Sequence, residues 1–209
     1  MPDRKAASLK AVLDIARAEF SSKPFDQVSI GQIATAAHCS ISTIYDVYEN
    51  KHGLYVAATE AHVLGIWQKL AASATGDSAF EQFINLMEAR AETFSQHNFR
   101  GAFRNLVTEI GGSDLISAPK LRKSIIEQYE QFMDLVARCA AEGVFRDLPA
   151  RVMGEVILAH LDWRPLYHSL CFGSDAPLNI PPREIVRRGL LSFLSDKGLK
   201  AYERLRPNP

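Results

Sequence analysis

Apolar side chains recur at steps of three and four residues over long stretches of this chain, a period that suits helices and leaves no room for half-buried strands. Leu9, Val12, Leu13, Ala16 and Phe20 set the pattern for a helix from about Ala6 to Ser21, which Lys23-Pro24-Phe25-Asp26 breaks. Ser29-Ile30-Gly31-Gln32 has the Ser-x-x-Gln spacing of a capping box, so a short helix follows through Ala37. His38-Cys39 forms a tight connection. Ser40 then caps a second short helix through about Val47, and Asn50 caps a long one to about Ala72. Further helices are expected over 78–96, 100–110, 118–142, 149–171 and 182–195, punctuated by Gly111-Gly112, Ala118-Pro119, Gly143, Leu148-Pro149 and the loop 173–182. The expected fold class is all-α with about nine helices. They divide into an N-terminal three-helix helix-turn-helix domain, 1–55, and a larger helical bundle, 56–209.

Composition narrows the function classes. Hydrophobic residues at 47% and charged residues at 23% of 209 are the mix of a folded domain, which excludes a disordered chain. Lys plus Arg equals Asp plus Glu at 24 each, so any nucleic-acid surface must be local. Cys39, Cys139 and Cys171 stand far apart, which argues against a disulfide framework or a zinc knuckle, and no metal site is expected. No apolar signal core opens the chain and no run approaches the roughly 20 residues of a membrane span, so a cytoplasmic protein without membrane contact is expected. There is no nucleophile–base–orienter set and no phosphate-cradling Gly loop. His160-x-Asp162 is the nearest catalytic-looking pair and lacks a third group, so neither an enzyme nor a cofactor is expected.

The stretch SIGQIATAAHCSISTIY carries the most information. Two short helices crossing steeply need a small residue at their contact, apolar residues facing the first helix, and a tight turn. Ala34 supplies the small contact, while Ile33, Ala37, Cys39 and Ile44 supply the buried face. His38 sits where the turn demands a left-handed backbone, at a cost on the order of 1 kcal/mol relative to Gly.

With the residues that follow, this segment resembles the tetracycline-repressor (TetR) family of regulators. The family pattern is a first helix ending in an aromatic, then T/S-x-x-x-I-A-x-x-A-G-V-S-x-x-T-L-Y-x-x-F-x-S/N-K-x-x-L. Phe20, Ser29, Ile33, Ala34, Ala37, Ser40, Thr43, Ile44, Tyr45, Tyr48, Asn50, Lys51 and Leu54 occupy it in register, over about a quarter of the chain. The resemblance implies a homodimeric, sequence-specific transcriptional regulator, a repressor, released from a palindromic double-stranded DNA operator by a small-molecule effector. Ser29, Ser40, Ser42, Thr43, Tyr45 and Lys51 suit phosphate contacts. Ile41, Ser42 and Asp46 are placed to meet base edges: a thymine methyl for Ile41, either sense of hydrogen bond for Ser42, a cytosine amine for Asp46. Arg4 and Lys5 read as an arm before the first helix. His38 in place of Gly, Asp46 in place of an aromatic or His, and Val47 in place of a frequent His depart from the pattern. Residues 1–55 hold six basic and six acidic side chains, which predicts weaker and more salt-sensitive DNA binding than the family norm. Tight binding well above physiological ionic strength would refute that expectation.

The same resemblance places effector binding and dimerisation in the bundle. Trp67, Met87, Arg90, Phe103, Tyr129, Met133, Trp163 and Tyr167 are the candidate effector contacts, and their composition suggests a small, mainly apolar or aromatic effector. At helical spacing such residues equally form a core. Pro165 is expected to kink the penultimate helix into a pocket wall. Ile185, Val186, Leu190 and Phe193 of the last helix are expected at the dimer seam. The competing readings are a TetR-like helical dimer that binds a ligand or protein partner without DNA, and a helical enzyme.

Overall fold

The computed structural model describes residues 2–96, 99–100, 119–173 and 180–207, with the backbone alone at 2–5, 121, 162–166 and 169–170. Among the described residues the chain is all-α: nine α-helices, one 3-10 turn at Phe25–Gln27, and no strand beyond an isolated bridge between Phe145 and Leu194. The helices are α1 (Pro2–Ser22), α2 (Ile30–Ala36), α3 (Ile41–Tyr48), α4 (Lys51–Ser73) and α5 (Ala79–Ser95). They continue with α6 (Pro119–Ala141), α7 (Ala150–Phe172), α8 (Pro182–Leu191) and α9 (Asp196–Leu205). The expected helix over 100–110 falls almost wholly outside the described residues. Two compact units share the chain: Met1–Gly65 with His97–Lys123, and Ile66–Gln96 with Ser124–Pro209.

In the first unit, local capping sets the helix starts. The Ser29 hydroxyl accepts from the Gln32 amide, that of Ser40 from Thr43, and the Asn50 side chain from Gly53. Val12, Ala16, Phe20, Val28, Ile33, Ile44, Leu54 and Tyr55 form the core. Phe20 and Phe25 stack, and Tyr55 meets each of them edge-on, 5.0 Å from Phe20 and 5.4 Å from Phe25. The helix α1 begins earlier than expected, so Arg4 and Lys5 lie within a helix rather than on an arm ahead of it. Pro2 suits a first helical position because its missing amide would have no partner there.

In the second unit α5 is the buried centre. Its N-terminus is capped twice, by Ser78 and by Glu142, whose carboxylate accepts from the amides of Ala79 (2.7 Å) and Phe80 (3.3 Å). The helix expected over 182–195 stops at Leu191. Residues 193–195 leave it to pair with 144–146: the Arg146 amide donates to the Phe193 carbonyl (2.8 Å) and the Ser195 amide to that of Val144 (3.0 Å). Ser195 then caps α9, a strongly polar helix whose apolar positions are too few to mark it in sequence. Gly198 packs on the Val144 carbonyl so closely that no side chain fits. Arg206, just past α9, reaches back to Glu88 (2.9 Å) and Asn85 (2.5 Å) on α5.

The residues expected at the dimer seam are largely covered within the chain. Ile185, Val186 and Leu190 are at most 4% exposed within the chain itself, where α8 packs on α5 and α7. Phe193 is half-buried, its backbone committed to the pairing with Arg146. Ile185, Val186 and Leu190 therefore present almost no surface to a second copy, whereas Phe193 keeps part of its own.

The three thiols are free and differ sharply in environment. Burial holds Cys139 protonated, its pKa pushed up to about 12, whereas Cys171 is exposed. Alkylation near pH 8, followed by mass spectrometry, is expected to label Cys171 in the native protein and Cys139 only after denaturant is added.

Candidate nucleic-acid interface

The two short helices meet as their residue sizes require. Ala34 and Ala37 are buried at the contact, Ile33 and Ile44 are fully enclosed, and Cys39 is half-buried. The turn closes with the Cys39 amide on the Ala34 carbonyl (3.0 Å) and the His38 amide on that of Thr35 (3.2 Å). His38 takes φ 52°, the left-handed conformation its place in the turn demands. Substitution His38→Gly is expected to raise stability by about 0.5–1 kcal/mol, read as a shift in the denaturant midpoint at constant slope. A second positive φ, 64° at Glu49, ends α3; sequence offers no sign of it, because Glu rarely adopts that conformation.

Around α3 the candidate residues come together. The Ser40 hydroxyl lies 2.7 Å from that of Ser42 and 2.8 Å from that of Thr43, while accepting from the Thr43 amide (3.1 Å). Three hydroxyls thus cluster where the helix dipole is positive, an arrangement suited to phosphate. Ile41, Tyr45 and Val47 are 46%, 40% and 44% exposed, and Ser42 and Asp46 are exposed beside them. Ile44 and Tyr48 form the inner stripe; burial pushes the Tyr48 phenol up and keeps it protonated. The helix, ISTIYDVY, carries no Lys or Arg.

The two remaining candidates sit apart from α3. Ser29 is exposed at the start of α2, serving as its cap. The Lys51 ammonium donates to the Asp26 carbonyl (3.2 Å) and lies 4.7 Å from the centre of the Phe25 ring. That cation is therefore held in place by the 3-10 turn, with donors left for a further acceptor.

Among the described residues, the effector candidates do not share one cavity. Trp67 and Phe94 meet edge-on, and the buried Arg90 guanidinium lies 5.3 Å and 5.0 Å from the two ring centres. Met87 and Met133 are core, Met133 filling the space over Gly154. Tyr129 donates to Glu155 (2.7 Å), and Tyr167 is 62% exposed, hydrogen-bonded to Cys171. Phe103 and the side chain of Trp163 lie outside the described residues. Arg90 also borders a groove of about 490 Å³ with Gln82, Leu86, Gln131, Phe132 and Leu135. Along the backbone α7 continues through Pro165 to Phe172. His160 packs over Gly189, where a Cβ would come within 2.8 Å of its ring. No group of three or more metal-ligating side chains and no helix long and apolar enough to cross a membrane occurs among the described residues.

Comparison with known proteins agrees with this geometry. Residues 12–58 match the model of bacterial regulatory proteins of the tetR family. No curated protein sequence matches the chain. Among solved structures, the TetR family transcriptional regulator PfmR of Thermus thermophilus superposes with a TM-score of 0.60 at 20% identity, covering 85% of this chain and 93% of that one. FadR of Bacillus subtilis, in complex with stearoyl-CoA, gives 0.62 at 13% identity over 87% and 95% of the two chains. A transcriptional-regulator-like protein of Saccharomonospora viridis, in complex with choline, gives 0.71 at 18% over 89% and 97%. Residues 12–58 are thus a TetR-family helix-turn-helix domain, and the chain has the fold of TetR-family transcriptional regulators.

Proposed function

We propose that this chain is a homodimeric, sequence-specific DNA-binding repressor, released from a palindromic operator by a small-molecule effector. The observation that carries the reading is the exposed face of α3, where capped helix start, clustered hydroxyls and Tyr45 stand in the register of a recognition helix. The effector is small and mainly apolar or aromatic. Similar folds hold choline and stearoyl-CoA in other proteins, which supports ligand control without naming this ligand. Effector binding needs only a preference for one of two dimer arrangements to shift DNA affinity. No catalytic role is assigned.

A second copy is assigned to α7. Val152, Val156 and Tyr167 are 56%, 47% and 62% exposed and, with the exposed Ala159, share one face by helical period. The stripe is uncharged, and Arg151 and Glu155 on its flank neutralise each other at 3.6 Å, so two copies related by a two-fold axis meet without like-charge repulsion.

Selection from a random duplex library at physiological salt tests the reading. Wild type is expected to enrich a palindromic site that Tyr45→Ala fails to enrich. A folded dimer enriching nothing would overturn it in favour of a TetR-like dimer acting through ligand or protein contacts, a reading favoured by the absence of Lys and Arg from α3.

A further inference from the structure

A DNA-facing helix without Lys or Arg cannot use the commonest direct contact, a cation on O6 and N7 of guanine. What stands at the centre of its exposed face is a carboxylate. Asp46 is two residues from Ile44 and two from Tyr48, which puts it about 160–200° around the helix from both inner residues. It is exposed and has no hydrogen-bond or ion-pair partner among the described residues. Ser42, one turn earlier, shares its hydroxyl with Ser40 at 2.7 Å. Ile41 and Val47 flank the crest with aliphatic surface.

On a duplex this carboxylate meets phosphate oxygens, base acceptors or base donors, and the first two repel it. The major groove offers two donors, the amino groups of cytosine and adenine. Adenine sets the N7 acceptor beside its amino group, so a carboxylate that approaches it gains one contact and incurs one repulsion. Cytosine has no acceptor on that edge.

Building on the DNA-binding reading, we propose that Asp46 is the specificity-determining residue of this recognition helix. It selects a cytosine in each operator half-site through the N4 amino group and lowers affinity for every duplex lacking one there. Ile41 and Val47 favour thymine methyls alongside, so the contacted bases are pyrimidines. Discrimination then owes as much to repulsion from wrong sequences as to attraction by the right one.

The test is site selection with the full-length protein as wild type, Asp46→Asn and Asp46→Ala, followed by titration on the selected and on a scrambled duplex. Wild type is expected to require one cytosine per half-site. Asp46→Asn is expected to exchange it for adenine, whose N6 and N7 an amide pairs together. Asp46→Ala is expected to bind scrambled duplex about tenfold more tightly, its operator-to-scrambled ratio falling by roughly ten- to a hundredfold. Enrichment of one operator by all three proteins, with the same base preference, would overturn the assignment of Asp46 and leave the DNA-binding reading intact. Enrichment by none would overturn both.

Discussion

Truncation of Phe83 to alanine is expected to lower the free energy of unfolding by about 3–5 kcal/mol. Phe83 is fully buried on α5 and touches Phe132 (6.0 Å between ring centres) and, edge-on, Phe145 (5.4 Å). Removing the ring takes away its transfer energy and both aromatic contacts, and leaves a cavity that the neighbours must close. They are poorly placed to close it. Glu142 and Ser78 hold the start of α5, and Arg206 holds Glu88 farther along, so the helix cannot slide into the space. Denaturant unfolding followed by circular dichroism measures the loss, with Phe83→Leu as the control, expected to cost less than about 1.5 kcal/mol. A loss near that of the leucine control would mean the site collapses freely and that α5 is not the rigid centre of the bundle.

Placing glutamate at both Val152 and Val156 is expected to convert the proposed dimer to a monomer and to weaken binding to its proposed operator by at least about a hundredfold. Both side chains are about half exposed in the single chain, so the substitutions leave its folding intact to within about 0.5 kcal/mol each. In the proposed dimer the same carboxylates would be buried opposite their copies, unpaired and mutually repelling. Losing the dimer removes the gain of binding two half-sites with one molecule, which spans roughly a hundred- to ten-thousandfold. Sedimentation velocity and a DNA titration read the two effects on one sample. A dimer that survives the double substitution would move the interface off α7, whereas a monomer that still holds the operator tightly would separate dimerisation from DNA binding.

The helix-turn-helix is the more legible part of the molecule, and the bundle the less legible. Ser29, Ser40 and Asn50 announce the helices they cap, because a cap is satisfied by an amide three residues away. The left-handed turn at His38 follows from the same short-range geometry. Glu49 takes up a positive φ that its side chain does not favour, so sequence gives no warning of it. In the bundle, Trp67, Met87, Arg90 and Met133 looked alike as pocket candidates. Packing separates them into a Trp67–Arg90–Phe94 cluster and a methionine-filled core.

Sequence by itself determined the all-α class, the starts of the helices capped by Ser29, Ser40 and Asn50, and the register of the helix-turn-helix, since each depends on residues within about one turn of one another. Tertiary structure decided which apolar faces are covered. Ile185, Val186 and Leu190 and the Val152–Val156 stripe read alike as helical hydrophobic patterns, yet the chain buries the first set against its own helices and leaves the second exposed. It likewise decided that 182–195 is not one helix, because residues 193–195 found partners at 144–146, some fifty residues away in the chain. Burial depends on what lies opposite, and what lies opposite is set by the path of the whole chain rather than by the residues nearby.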